Sequence, residues 1–175
     1  FFVLLGLSEL YLPFWQVYSG DNDNARLTGL ISLKGRNIMK MPNEKIDTIM
    51  FASCGMNCFV CYKHCYHKRP CAGCLNGDMG KPEHCRECKI KDCIKVKGLS
   101  FCFECSAYPC KLIKNLEKSY NKRYQASLME NSEFVRQYGL ELFMEEQKEK
   151  YTCPKCGGII SIHDRECSDC QEKLE

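Results

Sequence analysis

The stretch CGMNCFVCYKHC, residues 54–65, places Cys54, Cys58, Cys61 and Cys65 within twelve residues. Thiols at this density are disulfide partners, redox groups or metal ligands. The choice decides the fold, because a segment that buries so little apolar surface needs staples to hold together. Outward from this stretch one spacing recurs. Six C-x2-C pairs run along the chain: Cys58/Cys61, Cys71/Cys74, Cys85/Cys88, Cys102/Cys105, Cys153/Cys156 and Cys167/Cys170. Two thiolates at that separation reach one metal from a single turn, whereas a disulfide framework has no need to repeat it. The sixteen cysteines therefore read as metal ligands in a reducing, cytoplasmic setting.

Twelve of them lie between Cys54 and Cys110, with little apolar periodicity and with Gly or Pro near many pairs. Metal binding is expected to supply much of the folding free energy there. One economical partition joins Cys58/Cys61 to Cys71/Cys74 and Cys85/Cys88 to Cys102/Cys105, leaving Cys54, Cys65, Cys93 and Cys110 for a third site. His64, His67 and His84 stand among them as substitute ligands. The C-x3-C-x2-C of Cys54, Cys58 and Cys61 is the spacing of radical-SAM enzymes, but the alternating strands and helices of a barrel are missing after Cys61. Cys58-x2-Cys61-x3-Cys65 resembles part of a ferredoxin run, although Cys54 stands one residue too far upstream and no proline follows Cys65. Zinc, up to about four ions, is the expected metal. An iron-sulfur cluster in residues 54–110 is the alternative, since thiolates accept both. No phosphate-cradling loop, H-E-x-x-H or G-x-S-x-G is present, so the reading leans away from an enzyme and names no catalytic residue.

Beyond Cys110 the pattern turns helical. Leu112, Ile113, Leu116 and Tyr120 form one apolar stripe with lysines opposite. Ser127 to Glu130 fits a capping box before a helix carrying Phe134, Val135 and Tyr138 and ending at Gly139. A last acidic helix turns Leu140, Phe143 and Met144 inward. The final segment, CPKCGGIISIHDRECSDC, separates Cys153/Cys156 from Cys167/Cys170 by ten residues. That length predicts a β-hairpin, with Pro154 and Gly157 in the turn and IISI as strand, presenting four thiolates to tetrahedral zinc.

Residues 81–123 hold eleven Lys and Arg against five acids, while residues 124–175 hold six against eleven. The basic middle is a possible face for a protein or nucleic-acid partner. Upstream, FFVLLGLSELYLPFWQVYSG is apolar but carries Glu9 and Pro13 and lacks a basic leader, so neither a signal peptide nor a spanning helix is predicted. Lys34 to Met39 can be encoded as a purine-rich ribosome-binding stretch, a short spacer and a start codon. Translation is therefore expected to begin at Met39 or Met41, and no membrane association is expected if it begins at Met39; a genuine N-terminal membrane-associated or packing segment is the competing reading.

The ordered motifs CGMNCFVC (54–61), CAGC (71–74), CRECKIKDC (85–93) and KGLSFCFECSAYPC (97–110) resemble the family known as domain of unknown function 3795. The likeness continues through YGLELFMEEQ into the terminal segment and leaves residues 1–38 unmatched. The resemblance implies a small, cysteine-rich, metal-binding prokaryotic protein, and supplies no reaction. The expected architecture is thus a small metal-organised α and irregular protein. Residues 1–38 form a non-native upstream segment or extension, 39–110 a multi-site cysteine-rich core, 111–150 short helices, and 151–175 a C-terminal β-hairpin zinc ribbon. The expected function is a zinc-stabilised interaction or scaffold module, with an iron-sulfur electron carrier or redox accessory protein as the alternative.

Overall fold

The computed structural model describes residues 39–173; the expectations placed on residues 1–38 lie outside them. Six helices follow in order: α1 (Tyr62–Cys65), α2 (Glu83–Arg86), α3 (Lys89–Lys97), α4 (Lys111–Tyr124), α5 (Leu128–Tyr138) and α6 (Leu140–Tyr151). Single 3-10 turns at Thr48–Met50, Cys58–Val60 and Cys102–Glu104 punctuate the cysteine-rich stretch. Among the described residues no helix is long and apolar enough to cross a membrane.

The helices stop where their sequences tell them to. α3 ends on Gly98, whose φ of 64° lets the Gly98 and Leu99 amides return to the carbonyls of Lys95 and Ile94. α5 starts on Ser127, whose hydroxyl accepts from the Glu130 amide at 3.0 Å. It ends at Gly139, as the pattern predicts. Two stripe residues depart from expectation. Leu112 is 41% and Tyr138 53% exposed, while Ile113, Val135, Phe143 and Met144 are buried.

The main core joins the start of the cysteine-rich stretch to α5, α6 and the C-terminal segment. Phe51, fully buried, meets Phe143 edge-on at 5.1 Å and Phe101 at 5.4 Å. Val60, Leu128, Ile159 and Ile162 pack into the same cluster. The cysteine-rich stretch therefore obtains its apolar shelter from α5, α6 and the C-terminal segment, which its own composition cannot supply. Gly55 sets how closely it docks. Its φ is 91°, and a Cβ there would stand 2.2 Å from the Leu128 carbonyl oxygen of α5.

The expected C-terminal β-hairpin ribbon is not present. The described residues contain no β-strand, only isolated bridges such as Thr152↔Ile159, Ile160↔Cys167 and Glu166↔Lys173. The backbone bonding gives the reason. The Ile160 amide donates to Tyr151, the Ser161 amide to Glu166, and the Ile162 amide to Val60, so successive residues serve different partners and no ladder extends. IISI is also buried throughout rather than on alternate sides. It is a core segment, not a two-faced strand.

Candidate metal centre

The C-terminal cysteines are brought together by two compact turns. The Gly157 amide returns to the Cys153 carbonyl at 2.8 Å, and the Gln171 amide to Cys167 at 3.1 Å; Gly157 and Gln171 both take positive φ. The sulfurs of Cys153, Cys156, Cys167 and Cys170 then lie within 4.8 Å of one another. Cys153 and Cys170 sulfurs are 3.6 Å apart, and those of Cys156 and Cys167 3.5 Å. Four sulfurs at about 2.3 Å from one tetrahedral ion stand about 3.8 Å from each other. This cluster can hold a metal ion.

Its surroundings fit anionic sulfur. The Gly158 amide donates to the Cys156 sulfur at 3.4 Å. Burial opposes ionisation of Cys153, yet amides of Cys156 and Lys155 and the neighbouring thiols hold it down to about 7. Burial pushes Cys167 up to about 12. The segment before the cysteine-rich stretch closes over this centre. The Met41 amide donates to Gly157, the Met39 carbonyl accepts from Ile159 and from the Ser168 hydroxyl, and Lys40 pairs with Asp169. Gly158 is a site residue that spacing alone does not reveal. A Cβ there would meet the Cys167 sulfur at 2.6 Å and Cys156 at 3.3 Å.

The other twelve cysteines are arranged differently. Among the described residues, no further group of three or more Cys, His, Asp or Glu has its ligand atoms within 4.8 Å. Electrostatic interactions link many of these thiols to one another. Cys54 senses Cys74, Cys88 and Cys102, and Cys58 senses Cys54, Cys74 and Cys61. Cys61 senses Cys85 and Cys71, whereas Cys102 senses Cys110, Cys93, Cys105 and Cys88. Some of these relations fall within the economical partition, as Cys58 with Cys74 and Cys61 with Cys71, and others lie outside it, as Cys54 with Cys74 and Cys61 with Cys85. Burial pushes Cys54 and Cys102 up to about 12 and Cys61 and Cys85 up to about 11. Cys65 is fully buried and donates to the Phe59 carbonyl at 3.5 Å.

Two polar side chains brace this region. Lys81 is 4% exposed, and its ammonium donates to the carbonyls of Asn76 (2.8 Å) and Cys74 (3.1 Å), with Asp78 at 3.3 Å. His64 Nδ1 meets the Cys71 carbonyl at 2.8 Å, while its Nε2 is buried with no hydrogen-bond partner. An imidazole held in this way presents Nε2 as a free ligand atom. His67 is near the surface, where burial and Lys63 both lower it.

Residues 50–115 match the model of a family described as "Protein of unknown function (DUF3795)". The matched span contains all twelve cysteines from Cys54 to Cys110 and stops short of the C-terminal quartet, so it is shorter than the resemblance read from the motifs. No curated protein and no solved structure matches the chain.

Proposed function

Since this chain belongs to the DUF3795 family through residues 50–115, we propose that it is a metal-organised interaction module, stapled at the C-terminal quartet by zinc. The observation that carries the reading is the spacing of the quartet sulfurs at 3.5 and 3.6 Å, which suits one tetrahedral ion and leaves it no open position. A closed thiolate shell of this kind supports folding rather than catalysis.

The partner face is proposed on α4. Lys111, Lys114, Lys118 and Lys122 are exposed and stand at i, i+3, i+7 and i+11, which aligns them in one stripe along that helix. Such a stripe suits a polyanion, either nucleic acid or an acidic protein surface. The test is binding of the zinc-loaded chain to single- and double-stranded nucleic acid across a salt series. Lys114→Glu with Lys118→Glu is expected to weaken binding and flatten its salt dependence. Binding that ignores both salt and the substitutions removes the nucleic-acid reading.

A second reading, iron-sulfur chemistry in the cysteine-rich stretch, is favoured by one observation: Cys93, Cys102, Cys105 and Cys110 line a single pocket.

A further inference from the structure

We infer that Cys93, Cys102, Cys105 and Cys110 form a separate iron-sulfur site, one that holds a [4Fe–4S] cluster. The inference rests on the metal-organised reading above and deepens it. All four cysteines line a single pocket of about 110 Å³. α3 supplies one wall. Ile90, Cys93, Ile94 and Lys97 all line the pocket and stand at i, i+3, i+4 and i+7, so one helical face carries the thiol between two isoleucines. Cys102 opens the 3-10 turn Cys102–Glu104 and Cys105 caps its end, while Cys110 occupies the N-cap of α4. Ile94, Cys102 and Ile113, all buried, pack as an apolar cluster of their own beside the main core.

The loop that brings the thiols together is fixed independently of any ligand. The Cys102 amide donates to the Ser53 carbonyl at 2.8 Å, and the Tyr108 amide to Cys105 at 2.9 Å. The Glu104 carboxylate accepts from the amides of Ser100 and Phe101, each at 2.8 Å. These bonds hold the loop whose cysteines line the pocket.

The size of the space chooses the guest. No three of these sulfurs lie within 4.8 Å of one another, whereas the C-terminal quartet already has zinc spacing. One zinc ion would require these sulfurs to move closer together. A cubane cluster interposes four irons and four sulfides between its thiolates and so holds them farther apart. A cavity of roughly 150 Å³ admits benzene, so 110 Å³ suits a compact polyatomic guest and is wasteful for a single ion.

Two cationic features suit the net negative charge of a thiolate-ligated cluster. Lys97 donates from Nζ to the Cys105 sulfur at 3.0 Å. The α4 N-terminus opens directly after Cys110, with no acidic residue in its first turn. A hydrogen bond to a ligand sulfur and a positive charge beside it both favour the reduced cluster.

The experiment uses the full chain, purified without oxygen and reconstituted with ferrous iron and sulfide. Iron, acid-labile sulfide and zinc are counted in the wild type and in Cys93→Ser, Cys102→Ser and Cys167→Ser. The expected result is a broad visible band, bleached as dithionite delivers one electron. Cys93→Ser and Cys102→Ser are each expected to lower iron by up to four per chain while zinc is retained, and Cys167→Ser to do the reverse. Lys97→Gln, exposed and outside the ligand set, provides a readout that does not depend on tolerance of a cysteine change: the reduction potential is expected to become more negative. Iron content that ignores Cys93 and Cys102, or a potential that ignores Lys97, overturns the assignment. Zinc at this pocket, lost with Cys102→Ser, overturns it too and leaves the zinc staple standing; a chain that holds neither metal overturns both readings.

Discussion

Single residues set the tolerances of this molecule, and Gly158 sets the tightest one beside the quartet. A Cβ at that position would lie 2.6 Å from the Cys167 sulfur and 2.9 Å from Asp169 Cβ, so a methyl group must push a ligand out of place. Gly158→Ala is expected to weaken zinc binding by about tenfold or more, as loss of support around metal ligands does; competition with a chromophoric chelator measures it. The spacing of the cysteines exposes the ligands in sequence but not this glycine, because close approach from the side leaves no periodic trace. His163 is a second residue-scale feature that no motif announces. Its ring is enclosed edge-on by Tyr62, Tyr120 and Tyr124 at 5.2, 5.7 and 4.6 Å, and Nε2 meets the Tyr120 hydroxyl at 3.2 Å. Burial lowers it to about 4, with Asp164 opposing and Arg123 and His84 assisting. The native state therefore holds the neutral ring while the unfolded chain takes a proton near pH 6.5. Stability contributed by this histidine is intact above that value and is lost as pH falls towards 4, by roughly 3 kcal/mol. His163→Phe is expected to flatten this part of the acid limb in denaturation measured from pH 7 to 4; an unchanged limb assigns the acid sensitivity elsewhere.

At the scale of elements, the junction of α4 and α5 shows how a correct sequence reading can name half of a device. The capping box read at Ser127 and Glu130 has its hydroxyl arm. The carboxylate at the α5 N-terminus, however, comes from Glu117 on the preceding helix. It accepts from the Ser127 hydroxyl at 2.6 Å and from the amides of Leu128 and Met129 at 2.8 and 3.1 Å. Three donors on one anion at a helix N-terminus lock the angle between two helices. Glu117→Ala is expected to cost about 2 kcal/mol and Glu117→Gln less, read from urea denaturation at fixed zinc. Equal stability of Glu117→Ala and wild type would show that Ser127 alone caps α5. α3 was legible in principle. Ile90, Ile94 and Gly98 mark its face and its end, but five charged residues among nine and the flanking cysteines obscure the apolar pattern. The C-terminal segment misled for the opposite reason. IISI has strong β preference, yet that preference reflects fit to a half-buried pleated surface, and here burial is complete on every side.

Across the whole molecule, the cysteine-rich stretch and the regular helices share one core. Phe51 lies against Phe143, Val60 beneath Ile162, and Gly55 against α5. Sequence reading sees the two parts as compositionally distinct because periodicity reports local structure, whereas the contacts that join them are long-range and carry no local signature. What the cysteine series did convey was the set of candidate ligands. It marked every thiol that the structure gathers into the quartet and into the pocket beside α3, though not which pair faces which. On the proposed reading, thiolate ligation at the quartet links metal content to the native state itself. Native mass spectrometry of the full chain, comparing wild type with Cys167→Ser, tests that central claim most directly. One tightly held zinc present in the wild type and absent from Cys167→Ser is the expected result. Zinc content unchanged by the substitution, or a wild-type chain in which these four cysteines hold no metal, would contradict it.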